Sequence, residues 1–128
     1  MITVDTNVLV RLLVRDDEIQ AKKAFLALQK EQDIYIPIII LIELVWVLES
    51  CYEFSRAKIT QILEAILDTQ QFSVEKRDLI RRVLDAYSNQ KVDFVDSVIA
   101  QWVAAANAVP ILTFDKAAAA KLPEFKLI

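Results

Sequence analysis

Apolar and polar positions alternate along the chain in short blocks that switch between a strand-like and a helix-like spacing. Ile2 to Val4 is a compact apolar run of the buried-strand type, and Thr6 to Val14 then puts Val8, Leu9, Leu12 and Leu13 on one helical face. A second helix is predicted over Asp17 to Gln32, with Ala21, Phe25 and Leu28 inward, followed by a strand over Ile34 to Ile36. Pro37 opens a very apolar helix. Ser55, a good N-cap, precedes Ile59, Ile62, Leu63, Ile66 and Leu67, the spacing of an amphipathic helix. Phe72 to Val74 reads as a short strand, and Leu79, Ile80, Val83, Leu84 and Tyr87 mark another amphipathic helix. A further helix starts near Asp93 and runs through Val98, Ile99, Trp102 and Val103. Pro110 to Thr113 is the next strand, Lys116 to Lys121 is helical, and Phe125 to Ile128 adds an edge strand.

Strands alternating with helices imply an α/β fold with a mostly parallel sheet covered on both faces. In such sheets ligands bind beyond the carboxyl ends of the strands. Asp5 and Asp115 both fall at such ends. The 128 residues are expected to form one domain, and 55% hydrophobic with 26% charged residues describes a chain able to bury a substantial core. The longest apolar run, Ile34 to Leu48, is too short to span a bilayer and contains Glu43. With a single cysteine, Cys51, read as a buried small hydrophobe, and no leader before Ile2, a cytoplasmic location is expected.

Two absences narrow the chemistry. Without histidine there is no Ser-His-Asp or Cys-His machinery, and one cysteine cannot build a structural zinc site. Without glycine there is no phosphate loop of the Walker or dinucleotide type. The net charge of −3 also argues against a generic cationic nucleic-acid binder. Bound divalent metal would reverse that sign locally, and Lys22 with Lys23 and Lys76, Arg77, Arg81 and Arg82 form basic clusters. What the chain has in quantity is carboxylate.

Each acid has a structural alternative. Asp5 and Asp115 stand where a helix N-cap is expected, and Asp93 with Asp96 has the spacing of a capping pair. Glu43 is the only charged residue between Ile34 and Leu48, where a carboxylate is costly unless it faces solvent or a partner. Acids from separate segments gathered at one sheet edge repel one another, and a hard divalent cation resolves the repulsion. Oxygen ligands suit Mg²⁺ or Mn²⁺, which supports hydrolysis of phosphodiesters through a metal-activated water.

These segments resemble the four motifs of the PIN-domain family, and in particular its VapC-type toxin ribonucleases. Val4-Asp5-Thr6-Asn7 is similar to the first acidic motif, Ile42-Glu43-Leu44-Val45 to the helical glutamate motif, Asp93-Phe94-Val95-Asp96-Ser97-Val98-Ile99-Ala100 to the third, and Leu112-Thr113-Phe114-Asp115 to the fourth. The resemblance covers nearly the whole chain. It implies an α/β/α sandwich, a Mg²⁺- or Mn²⁺-dependent endoribonuclease acting on RNA, frequent homodimerisation and inhibition by a small antitoxin. Carried onto this chain, it makes Asp5, Glu43, Asp96 and Asp115 the catalytic and metal-binding acids, with Asp93 a fifth ligand and Thr6, Asn7 and Thr113 as supporting polar groups. Many relatives have a glycine before the fourth-motif strand where this chain has Asn107-Ala108-Val109, a change that Asn, tolerant of left-handed backbone, accommodates.

Arg11, Arg15 and the Lys76 to Arg82 cluster are candidates to grip phosphate, although a basic helical run is more often a solvated face. Trp46, Trp102, Tyr35 and Phe54 are read as core or dimer surface. A phosphatase of the haloacid dehalogenase type also has an aspartate after its first strand, but it needs a second acid two residues on, where this chain has Asn7. Non-enzymatic alternatives are a PIN-like interaction module; a housekeeping nuclease without an antitoxin is the enzymatic one.

Overall fold

The computed structural model describes residues 1–128. Its order is β1 (Ile2–Thr3), α1 (Thr6–Val14), α2 (Glu18–Leu28), β2 (Ile34–Ile36), α3 (Ile38–Ser50), α4 (Arg56–Asp68), β3 (Phe72–Val74), α5 (Arg77–Asn89), α6 (Phe94–Ala105), β4 (Ile111–Thr113), α7 (Lys116–Lys121) and β5 (Phe125–Leu127). All strand pairings are parallel, and every crossover runs through helix, as the alternating pattern requires. The chain divides into two compact units, Met1–Arg77 and Asp78–Ile128.

In the first unit the sheet order is β1-β2-β3, with Ile2 opposite Ile34 and Ile34 opposite Phe72. The two ends of β2, Ile34 and Ile36, are fully buried on one face of the strand, while Tyr35 between them is half-buried on the other. Leu9, Leu41, Leu44, Leu48, Ile59, Leu63, Ile66 and Leu67 complete the buried set, each contributing on the order of 2 kcal/mol of transfer free energy. In the second unit β4 and β5 pair with Ile111 opposite Phe125, and Ala86, Val92, Ala100 and Leu122 form the core beneath them. Tyr87 meets Phe94 edge to face at 5.7 Å between ring centres.

Several expectations need correction. The second helix ends at Leu28, short of Gln32, because Gln71 Nε2 takes the Leu28 carbonyl (3.2 Å) and that of Glu31, and so satisfies the backbone there. Its inner face is Ala21, Ala24 and Leu28, whereas Phe25 is 49% exposed: α2 packs closely on α1, and small residues allow that approach. Cys51 is exposed, since it caps the C-terminus of α3 beyond the last buried turn. Trp46 and Trp102 are exposed, which excludes the core and leaves a dimer surface of the two alternatives, while Tyr35 and Phe54 are half-buried.

A chain without glycine must place left-handed backbone on other residues. Arg15, Glu53, Lys76, Lys91 and Asn107 all have φ between 49 and 60°. Asn107 thus takes the geometry expected of it, and Arg15 is the C-cap of α1.

Candidate active site

In the first unit, Asp5 follows β1 by two residues and caps α1, its Oδ1 accepting from the Asn7 amide at 2.9 Å. The cap and the expected ligand are therefore the same side chain, with one oxygen engaged. Thr6 is buried and its hydroxyl has no hydrogen-bond partner. Asn7 is exposed, and its side chain lies beside Arg11 and Lys23 along a groove between α1 and α2. Glu43 is exposed on α3, on a face it shares with Ile39 and Trp46. The apolar helix thus turns one strip to solvent, which removes the desolvation penalty its sequence suggested.

Arg11 is not free to grip phosphate. Its Nη1 donates to Asp16 Oδ1 (3.0 Å) and to Tyr52 Oη (3.1 Å), and its Nε to Gln20, while the Tyr52 hydroxyl donates to Asp16 Oδ2 (2.8 Å). This network ties α1, the turn into α2 and the segment after α3. The Tyr52 hydroxyl, with the Arg11 charge assisting, holds the Asp16 carboxyl below its usual value despite some desolvation.

The second unit brings three of the expected acids to one place. Asp93 caps α6, its Oδ2 accepting from the Asp96 amide at 3.1 Å. Asp115 caps α7, its Oδ1 accepting from the amides of Ala117 (2.9 Å) and Ala118 (3.1 Å). Thr113 Oγ1 accepts from the backbone amide of Asp115 at 2.9 Å. Asp96, one turn inside α6, caps nothing. It joins Asp93 and Asp115 in the wall of a cavity of about 200 Å³. Its carboxyl is pushed above the ordinary range, first by desolvation and then by the charges of Asp93 and Asp115. Burial and like charge both oppose ionisation. The acids as placed make no group of three or more that is close enough to hold a metal ion.

Two features escaped the sequence reading. Ser97 is completely buried with no partner for its hydroxyl, repeating after Asp96 the arrangement of Thr6 after Asp5. That repeat of acid then hydroxyl is a signal the sequence did hold. Lys121 lines the same cavity as the three aspartates. Nothing in the local sequence near Lys121 marks it, because its partners come from chain segments far upstream.

The architecture is parallel α/β, with acids just past strand ends (Asp5 and Asp115) and in the first turn of a helix (Asp96). The PIN domain model matches residues 2–123, a span that takes in nearly all of the first unit and most of the second. A protein described as VapC ribonuclease from Aquifex aeolicus (strain VF5) is 33% identical over 95 residues, covering 72% of this chain and 70% of that protein. The chain belongs to the PIN-domain family. No solved structure matches it. No helix is long and apolar enough to cross a membrane.

Proposed function

We propose that the chain is a Mg²⁺- or Mn²⁺-dependent endoribonuclease, the toxin of a toxin–antitoxin pair. The observation that carries this reading is the meeting of Asp93, Asp96 and Asp115 on one cavity, with the Asp96 carboxyl raised by burial and by its two neighbours. The relative described as a VapC ribonuclease supports the substrate class and the toxin role.

In its chemistry the donor set suits a hard divalent cation, although the acids as placed form no group of three or more around one point. It is all carboxylate oxygen, and no basic side chain pairs with any of the three acids. The caps engage one oxygen each of Asp93 and Asp115 and leave the other available. Asp96, Asp115 and Asp93 are proposed as ligands, with Asp5 and Glu43 as further ligands on the strength of their motifs. A bound cation supplies charge neutralisation and acidifies water at the scissile phosphodiester. The protein's own part is to hold these oxygens in place: Thr113 fixes the backbone of Asp115, and the α6 cap fixes Asp93 beside Asp96.

Incubating the protein with single-stranded RNA tests the reading. Cleavage is expected with Mn²⁺ or Mg²⁺ and its loss with excess EDTA. Cleavage undiminished by EDTA overturns the metal dependence. Absence of both cleavage and a saturable Mn²⁺ site would assign the chain instead to a non-catalytic interaction module. Co-purification with a small protein encoded beside it, and suppression of cleavage by that protein, tests the antitoxin pairing.

A further inference from the structure

Lys121 is the one cationic side chain in the wall of the cavity formed with Asp93, Asp96 and Asp115. It closes the six-residue helix that Asp115 opens, so the two lie roughly 9 Å apart along the axis. Its Nζ donates to the main-chain carbonyl of Lys91 at 3.1 Å. Lys91 has φ 55° and stands two residues before the cap Asp93. The ammonium is therefore fixed against the turn that leads into the acids.

Its pairing is informative. A lysine placed to neutralise three carboxylates would form an ion pair with one of them, yet none of the three comes within ion-pair distance of Nζ. The tether is a neutral oxygen, which fixes the position of the charge without cancelling it. An ammonium has three donors, and the carbonyl takes one. Two donors and a full positive charge are left at the wall of a cavity whose other charges are negative. This arrangement suits an anion that must sit next to the acids, where it would otherwise be repelled.

We propose that Lys121 binds a backbone phosphate of the RNA strand at this cavity. The inference rests on the nuclease reading for the identity of the anion. The cavity, at about 200 Å³, has room for a phosphate group, and a contact to phosphate positions the strand and reads no sequence.

Binding of a fluorescently labelled single-stranded oligouridylate, followed by anisotropy in Ca²⁺ across a series of salt concentrations, tests this without needing turnover. Lys121→Met should weaken binding about tenfold, the size of one charge-assisted hydrogen bond. It should also flatten the slope of log affinity against log salt by about 0.7, the value for one phosphate contact on a single strand. Lys121→Arg should restore both. Lys121→Gln, which keeps a donor for the Lys91 carbonyl, should leave the thermal midpoint unchanged and still lose the slope. A Lys121 that only ties helix to turn would lower the midpoint on mutation to Met and leave the slope alone, and that result overturns the proposal. Wild-type protein that binds the strand with the same slope as Lys121→Gln also overturns it, while the nuclease reading stands. Binding that depends on Lys121 in a protein that never cleaves RNA supports the proposal and rejects the nuclease. Wild-type protein that does not bind the strand removes both.

Discussion

Asp93 and Asp96 are three residues apart on one helix start, yet the structure gives them different work, and mutation to asparagine separates the two. Asp93 carries the α6 cap through Oδ2 to the Asp96 amide at 3.1 Å. Asparagine caps about as well as aspartate, so Asp93→Asn should cost only a few tenths of a kcal/mol, whereas Asp93→Ala should cost about 1 kcal/mol. In a chain of 128 residues that is a fall of about 3–5 °C in thermal midpoint. Asp96 has no cap to lose. Its carboxyl is raised by desolvation first and then by Asp93 and Asp115. A raised carboxyl means that the folded state binds protons the unfolded state releases, so ionised Asp96 lowers stability at neutral pH. Asp96→Asn should therefore leave the metal-free midpoint equal or higher at pH 7. That advantage should shrink as pH falls through the folded pKa, above the ordinary 3.8, because the wild-type side chain is then neutral as well.

Turnover should separate them in the opposite order. Removing a ligand forfeits several kcal/mol of charge stabilisation at the phosphodiester, about a thousandfold in rate. Asp96→Asn should lose that much at saturating Mn²⁺, and Asp93→Asn should keep measurable activity. Thermal scans with and without Mn²⁺ and single-substrate kinetics on one RNA read all of these quantities. An active Asp96→Asn beside a dead Asp93→Asn would exchange the two roles. A large fall in the metal-free midpoint of Asp96→Asn would make Asp96 a structural residue and refute the reasoning.

Asp16 should behave with the opposite sign: its depressed carboxyl, held by Tyr52 and Arg11, stabilises the fold above the unfolded pKa and ceases to do so as pH falls below the ordinary aspartate range. The midpoint difference between wild type and Tyr52→Phe should accordingly vanish in acid and shrink in high salt; a difference independent of both would refute the network's role. Cys51, being exposed, should react with an aromatic disulfide reagent in the native state, and a thiol silent until denaturation would contradict its placement. The protein should be a homodimer, with exposed apolar side chains such as Phe114 and Leu112 available for pairing; a monomeric mass by light scattering at micromolar concentration would count against that.

Much of the architecture was legible because each element carries its period openly. Every strand and helix predicted from spacing is present, with strand ends shifted by one residue at β1, β4 and β5 and the end of α2 shifted further, where Gln71 takes the carbonyls of Leu28 and Glu31. Orientation was less legible. Phe25 was expected inward on apolar character, but the space between α1 and α2 admits alanine there. Cys51 was misjudged for the same reason: local sequence reports hydrophobicity, and burial depends on which neighbour is packed against the residue. Glu43 shows the converse. In a segment of nearly uniform apolarity, the one charged residue marked which strip of α3 meets solvent.

For the acids, capping and ligation first looked like competing explanations, and the caps the structure shows leave one oxygen of each capping acid unengaged. Asp5, Asp93 and Asp115 are all caps, and each cap employs one carboxylate oxygen. Each cap holds one carboxylate oxygen against the backbone amides of its helix, while the second oxygen remains available. Asp96 has the complementary design. It accepts no hydrogen bond from the helix, sits half-buried between two capped acids and is destabilised by their charge. A cation that bound among them would meet two acids already oriented and one whose energetic penalty its own charge removes. The positions that look least distinctive in sequence, because any helix start favours them, are thus the ones whose geometry is best defined. Lys121, which no cap rule singles out, is identified only by the cavity it lines.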